Sequence, residues 1–431
     1  MELMTSRSMR LLIVEHDFST GTETVNLGII PELTKLVECV VWAMPDYRRE
    51  FYQKVIVPSD KLIYEGLVWP QESRFFYRCD GFLGRLNSLF PVKRTLVGKT
   101  IYAMRVKIAN AWLKHLIRKY RITHFFTTWI FNQERPKLPV PTGAMAMDLN
   151  WQQFPENFPE IDRQSLDRSF ADWLKHSDVL FPISDFTADE IQRSFPQVTS
   201  RMVVVPHGAR IIPTGATGVT KPRAEARERP YFYYPASVLV HKGHQTLVEA
   251  AIKLFAKGYN FDLILSGSFT ESFLRQTDRN DPVSKIVRKL CSDNSDLIKG
   301  RIKCLGKVDW SEVEALYAEA HAVILPSHFE GFGLPLLEAI ERGARVICTD
   351  IPPFNEQIRR YDYGKYTCQF PPGSVSCLAE FMEDSLKSPH FDKPHPEEIA
   401  ARIQRWTWKD AAVAYVEAMS EAQKGGVTHE G

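Results

Sequence analysis

No Asp-x-Asp pair occurs anywhere in these 431 residues. Chelation of a metal–diphosphate complex by such a pair is therefore unsupported, and no metal site is expected. Cysteine is sparse: the seven residues at 39, 79, 291, 304, 348, 368 and 377 include no C-x-x-C, which argues against a disulfide frame or a zinc site. Long apolar runs are missing as well. Leu11-Leu-Ile-Val14 is too short for a signal-peptide core and is followed by Glu15 and Asp17, so it reads as a first strand in a cytosolic chain. Acid is absent over one long stretch. Gly81 to Gln133 holds no Asp or Glu but ten Lys or Arg, which leaves a net of −8 elsewhere although the whole chain is only +2. Within this block Ile101, Met104, Ile108, Trp112, Leu113, Leu116 and Ile117 recur at helical spacing, which fits a core face with a solvated charged rim. It also fits attachment to anionic lipid, where each basic residue near the surface contributes on the order of 1 kcal/mol. Nucleic-acid binding is the weaker reading, because aromatic residues are not interleaved as stacking platforms.

What is present fits about two globular domains, with 44% hydrophobic residues to fill two cores. Arg10 to His16 reads as a strand, Phe18 to Thr24 as a polar loop containing Gly21, Val25 to Val37 as a helix, and Cys39 to Trp42 as the next strand. That is a Rossmann-like opening. Between Arg210 and Pro230 the composition turns to Pro, Gly, Thr and charge, the signature of a domain linker. Beyond it strands and helices alternate: strands at 231–235, 261–266, 301–305, 321–326 and 344–348, helices at 244–257, 282–291, 311–319 and 334–342. Such alternation implies a parallel, doubly wound sheet. A final helical segment covers 397–423, and the tail after Lys424 is expected to fray.

The densest stretch runs from Pro326 to Ala339, Pro-Ser-His-Phe-Glu-Gly-Phe-Gly-Leu-Pro-Leu-Leu-Glu-Ala. An apolar strand exits at Pro326, glycines break the turn, and a helix starts near Leu334 with Pro335 in its first turn, where a missing N–H costs nothing. Gly331 and Gly333 allow close approach to the backbone, and free N–H groups at a helix start attract phosphate. A carboxylate beside a phosphate site makes sense if it holds neutral hydroxyls. Glu330 and Glu338 therefore suggest a nucleotide sugar.

This segment resembles the signature of retaining glycosyltransferases of the GT-B fold, and of family four in particular, which includes many mannosyltransferases of surface-polysaccharide assembly. Further stretches agree in order: Ile183-Ser184, Val203-Val-Val-Pro-His-Gly208, Tyr234-Pro-Ala-Ser237 with His241-Lys242, Leu263-Ile-Leu-Ser-Gly267, Leu305-Gly306 and Thr407-Trp408-Lys409. The similarity is good over roughly 170–415 and weak over the first 150 residues. It implies two Rossmann-like domains facing a cleft, an acceptor domain at 1–208 joined by a C-terminal helix at about 409–424 that crosses back, and a nucleotide-sugar domain at 209–408.

The resemblance also implies roles. Lys242 would neutralise the donor diphosphate as the sugar leaves, which is where a fixed cation contributes most. Glu330 would touch hydroxyls of the transferred sugar, with the amides of Gly331, Phe332, Gly333 and Leu334 nearby. Glu338 would accept from the ribose diol, and Ser237 and Gly306 would complete donor binding. A glycosidase-like carboxylate pair is disfavoured, because that mechanism needs both groups flanking one bond. Asp148 joins the catalytic candidates. Where the family commonly shows His-Asp this chain has Met147-Asp148, so the contact to the sugar's C6 end falls to Met147, with Gly21 as a second candidate; His16 and His124 are expected to be structural. No cofactor or metal is expected. The implied partners are a nucleotide-diphosphate sugar carrying a hexose or deoxyhexose, GDP-mannose-like, and a saccharide or lipid-linked acceptor, with peripheral contact of 81–133 to an anionic membrane as a further expectation and no nucleic acid. An epimerase or phosphorylase on the same fold is the alternative.

Overall fold

The computed structural model describes residues 8–15, 20–67, 96–131, 133–158, 163–210, 229–275, 281–388 and 393–425. The chain divides into two compact units. One comprises Met1–Asp148, Ile161–Gly208 and Trp408–Gly431; the other comprises Leu149–Glu160 and Ala209–Thr407. The units divide at 208/209, and the final helix belongs to the first unit. The short segment Leu149–Glu160 departs from the domain bounds read from the sequence: it lies in the first half of the sequence and belongs to the second unit.

In the first unit, strands β1 (Arg10–Val14), β2 (Cys39–Met44), β3 (Leu62–Gly66), β4 (His124–Thr127), β5 (Thr142–Ala146), β6 (Val179–Pro182) and β7 (Arg201–Met202) form a parallel sheet in the order β3-β2-β1-β4-β5-β6-β7. The inner strands are short apolar runs buried along nearly their whole length, as a sheet covered on both faces requires. The first helix spans Thr20–Leu36, five residues earlier than the hydrophobic pattern suggests. Gly21 thus sits in a helical turn rather than a polar loop. Glu23 in that first turn suits the positive end of the helix dipole, and threonines 22 and 24 are buried rather than solvated, so the period reads as apolar only from Val25 onward. This helix packs on the last one, Trp408–Gly425, through Gly28, where an added Cβ would fall 2.2 Å from the Trp408 ring.

In the second unit, β8 (Tyr231–Pro235), β9 (Asp262–Ser266), β10 (Ile302–Cys304), β11 (Ala322–Leu325), β12 (Val346–Thr349) and β13 (Thr367–Phe370) form a second parallel sheet, ordered β10-β9-β8-β11-β12-β13. Its helices His244–Ala256, Pro282–Asp293, Trp310–Glu319 and Leu334–Glu341 fall within two residues of the positions expected from periodicity. The order reverses between β8 and β11, and open α/β sheets bind ligands at the carboxyl edge of such a switch point. The single C-terminal helix expected at 397–423 is instead two, Pro396–Ile403 and Trp408–Gly425. In the break, Ala209 donates its N–H to the Trp406 carbonyl at 3.0 Å and bridges Thr407, a backbone pairing that competes with helical continuation. Residues 211–228 of the expected linker, His16, and 81–95 of the basic block lie outside the described residues.

Candidate functional site

The residues at the carboxyl ends of β8 and β11 converge. After β8 the chain makes a single 3-10 turn, Val240–Lys242, followed by Gly243 at φ 67°. A side chain at 243 would meet the Pro326 carbonyl oxygen at 2.1 Å, so the turn can press directly onto the end of β11 only with glycine there. The His328 N–H donates to the His241 carbonyl at 2.7 Å and completes the junction. Tyr234, buried at the end of β8, donates its hydroxyl to the Lys242 carbonyl at 2.6 Å. Burial in this setting pushes the Tyr234 phenol well above its ordinary pKa, so it remains a donor.

This backbone holds one ion pair. Lys242 Nζ lies 2.7 and 2.9 Å from the two Glu330 oxygens, with side chains only 16% and 10% exposed. Lys242 is therefore held in a paired, largely buried position rather than solvated. Sequence reasoning assigned Lys242 and Glu330 to different parts of a ligand; in the structure they neutralise each other. Beyond Glu330, Phe332 is buried and its carbonyl accepts from Gln357 Nε2. Gly333, at φ 90°, opens the helix Leu334–Glu341, and a Cβ there would strike the Phe354 ring at 2.5 Å.

Glu338, two turns along, belongs to a second cluster. Its Oε2 accepts from the Tyr317 hydroxyl at 2.7 Å. Burial raises its pKa, opposed by Arg342, Tyr317 and Arg210. Arg342 lies beneath, 4% exposed, bonded to both oxygens of Glu314, to the Glu338 carbonyl at 2.7 Å and to Glu341 at 3.3 Å. Burial would lower the Arg342 pKa, but the Glu314 bond and the surrounding carboxylates raise it on balance. Glu341 accepts from the Arg210 backbone N–H at 2.6 Å. The residues following the Glu-Ala motif, Glu341 and Arg342, were not singled out from sequence; an adjacent acid–base pair on a helix looks like any solvated face until its burial is known.

Ser237 and Gly306 also gather at this edge. Gly306 donates to Thr270 Oγ1 at 3.0 Å and accepts from the Gly267 N–H at 2.7 Å, while a Cβ on Gly267 would lie 2.7 Å from the Ser237 nitrogen. Beside Gly306 lies a pocket of about 490 Å³ lined by Leu305, Lys307, Val308, Asp309 and Glu312.

In the first unit Met147 and Asp148 follow β5, partly exposed, and the Met147 carbonyl accepts from Thr187 Oγ1 at 3.4 Å. His207, of the Pro-His-Gly motif, is fully enclosed against Trp408, 5.5 Å between ring centres, and burial takes its pKa down to about 3. His124 is buried in β4, bonded to Thr123 at 2.9 Å, with its pKa lowered by burial. Both are structural.

Residues 220–406 match the family described as Glycosyl transferases group 1. They form a group 1 glycosyltransferase domain. Over 290 residues, 63% of this chain, the sequence is 25% identical to the serotype-specific mannosyltransferase WbdA of Escherichia coli. Over 276 residues, 61% of this chain, it is 23% identical to O-antigen chain mannosyltransferase B of the same organism. The matches span 33% of WbdA and 66% of mannosyltransferase B. Sucrose-phosphate synthase from Thermosynechococcus elongatus superposes with a TM-score of 0.68 at 16% identity, over 97% of this chain and 100% of that one. The fold around the glycosyltransferase domain is GT-B, with two parallel-sheet α/β units.

Proposed function

We propose that this chain transfers a hexose, mannose by the analogy of its relatives, from a nucleotide-diphosphate sugar to a saccharide or lipid-linked acceptor in polysaccharide assembly, with retention at the anomeric carbon. The buried Lys242–Glu330 pair at the switch point of the second sheet carries the reading. A donor diphosphate entering there offers Lys242 a second anionic partner, and a cation held in place before the bond breaks costs no reorganisation when charge develops on the leaving group. Glu330, released in part, accepts from sugar hydroxyls. In front-face transfer the C1–phosphate bond breaks as the acceptor oxygen bonds C1 on the same face, and the acceptor's proton passes to the departing phosphate oxygen. Glu338 with Tyr317 would take the ribose diol, and the pocket at 305–312 has room for the base. Asp148 and Met147 remain the first unit's candidates.

A thermal-shift screen against GDP-, UDP-, ADP- and dTDP-sugars tests this, because a selective ligand raises apparent stability in step with its affinity. The expected result is one base class shifting the melt and supporting transfer whose product keeps the donor's anomeric configuration by NMR. An inverted product would end the retaining assignment. Transfer is expected to survive EDTA, and a strict Mn²⁺ requirement would show the metal-free reading wrong.

The site would work on the cytoplasmic side, with the basic block resting on anionic lipid. Among the described residues no helix is long and apolar enough to cross a membrane. In the helix Leu96–Tyr120, Leu113, Leu116 and Ile117 are core, whereas Met104 is 54% and Ile108 36% exposed. Among the described residues of the stripe, Met104 and Ile108 are exposed and Leu113, Leu116 and Ile117 are buried. Co-sedimentation with anionic vesicles that is lost as salt rises is expected, since screening acts over about 10 Å at 0.1 M; equal binding to neutral vesicles would count against it.

A further inference from the structure

Segment Leu149–Glu160 has no part in the family motifs, yet it packs on the residues next to both members of the ion pair. Asn157 ends a short 3-10 turn, Pro155–Asn157. Its Oδ1 accepts from the Val240 N–H at 3.0 Å, and its Nδ2 lies 3.0 Å from His241 Nδ1. The Phe154 ring lies 5.4 Å from the His241 ring and 6.0 Å from Phe329. His241 precedes Lys242, and Phe329 precedes Glu330.

The orientation of this amide is forced. A backbone N–H can only donate, so the oxygen of Asn157 must face Val240 and its NH₂ must face the imidazole; Nδ1 must then accept, and the proton resides on Nε2. Burial reinforces the neutral form, taking the His241 pKa down to about 2, with Lys242, His244 and His328 opposing a further positive charge. Asn157 occupies Nδ1, and Nε2 is not one of the buried nitrogens left unsatisfied among the described residues, so the ring carries its one neutral N–H on the side away from Asn157.

We propose that Asn157 is a positioning residue of the donor site: it fixes His241 as the Nε2–H tautomer, so that a neutral donor, rather than a second cation competing for Glu330, serves an oxygen of the bound nucleotide sugar beside Lys242. Phe154 clamps the same ring. The donor contact rests on the functional reading above; the tautomer control does not.

The test uses the full chain. Long-range ¹H–¹⁵N correlation of the histidine side chains, with His241 assigned by its loss in His241→Gln, reads the tautomer without any activity. The wild type should show Nε2–H throughout pH 5–8. In Asn157→Asp the carboxylate still accepts from Val240 but now faces Nδ1, which should take up a proton within that window. Turnover should then fall about tenfold on the acid side and recover as the ring deprotonates, with donor KM and melting temperature little changed. Asn157→Leu, which supplies neither contact, should lose activity without the pH dependence. A wild-type Nδ1–H tautomer, an Asn157→Asp ring that never titrates, or activity that simply follows melting temperature would overturn the proposal. If the ring behaves as stated but the wild type turns over no nucleotide sugar, the functional reading and the donor contact fall while the tautomer control stands.

Discussion

Glu15 directly follows the central strand β1 of the first unit, Glu330 lies on the loop that leaves the central strand β11 of the second, and they keep different company. Glu330 is held by both oxygens to Lys242. Glu15, 1% exposed, meets a tyrosine instead: the Tyr52 hydroxyl donates to its Oε1 at 2.7 Å, and Oε2 has no hydrogen-bond partner among the described residues. Burial lifts the Glu15 pKa to about 8, outweighing Tyr52 and Arg48. A carboxylate given a cation keeps a charge that can work on a polar ligand. One bonded to a phenol, with its nearest cation already paired to Glu23, is held toward its neutral form by burial. The two strand-end carboxylates thus differ in what holds them: an ion pair in the second unit, burial against a phenol in the first.

The largest effect that would break this contrast is the pH dependence of stability. Glu15 has a higher pKa folded (about 8) than the ordinary 4.5, so its contribution is fully present below pH 4.5 and is lost as pH rises through 8. The upper limit is about 5 kcal/mol. Glu15→Gln mimics the neutral acid and should remain close to wild type at pH 5, but flatten the decline in urea-unfolding stability between pH 5 and 8.5. An unchanged decline would mean that Glu15 is charged in the folded chain.

Next in size is the pair itself. Lys242→Ala and Glu330→Ala should each lower turnover by about two to three orders of magnitude, equivalent to about 2–4 kcal/mol. Residues on strand-end loops outside the core would ordinarily be replaced without loss of folding. Their burial changes that expectation: each single variant strands the other charge and should lose stability, and the double variant should regain part of it while remaining inactive. Additive stability losses in the double-mutant cycle would show that the pair is not coupled.

The second unit was legible in the sequence because its chemistry is written locally. Glu330, Gly333 and Glu338 fall within nine residues, and the strands of that sheet are short apolar runs between turn residues. The first unit is harder for a physical reason. Gly21 looked like loop because threonines mask helical periodicity when they are buried, and a Glu15–Tyr52 bond joins residues 37 apart that carry no shared pattern. Asn157 was unreadable for the same cause: its importance lies in two hydrogen bonds to residues more than eighty positions away. The motif singles out Lys242 and Glu330 separately, whereas their pairing could be named only once both strand ends were seen together.

A smaller effect sharpens the comparison within the second unit. Tyr317→Phe removes the hydroxyl that Glu338 accepts from, at a net cost of about 1 kcal/mol. If Glu338 holds a ribose diol, the freed carboxylate loses its orientation, and donor KM should rise about fivefold with kcat nearly unchanged, the pattern of a lost contact made equally in ground and transition states. An equal fall in kcat would place Glu338 at the reacting centre instead.

The smallest predicted effect tests the first unit's edge. The resemblance gives the position of Met147 a contact to the sugar's C6 end, where relatives carry histidine. A thioether packs well on a methyl group and offers a hydroxyl only a weak acceptor. Met147 lies just past β5 and is partly exposed, with its carbonyl rather than its side chain tied to Thr187. Substitution should therefore leave stability within about 0.5 kcal/mol. Met147→His should shift the ratio of kcat/KM for a 6-hydroxylated donor over its 6-deoxy counterpart by about three- to fivefold toward the hydroxylated sugar, the scale of one partly solvated hydrogen bond. The comparison to run is GDP-mannose and UDP-glucose against GDP-fucose and dTDP-rhamnose, in wild type and variant. A wild type that already prefers the hydroxylated sugar, with a ratio unmoved by the histidine, would remove Met147 from donor selection and leave the choice of sugar to Glu330 and the second unit alone.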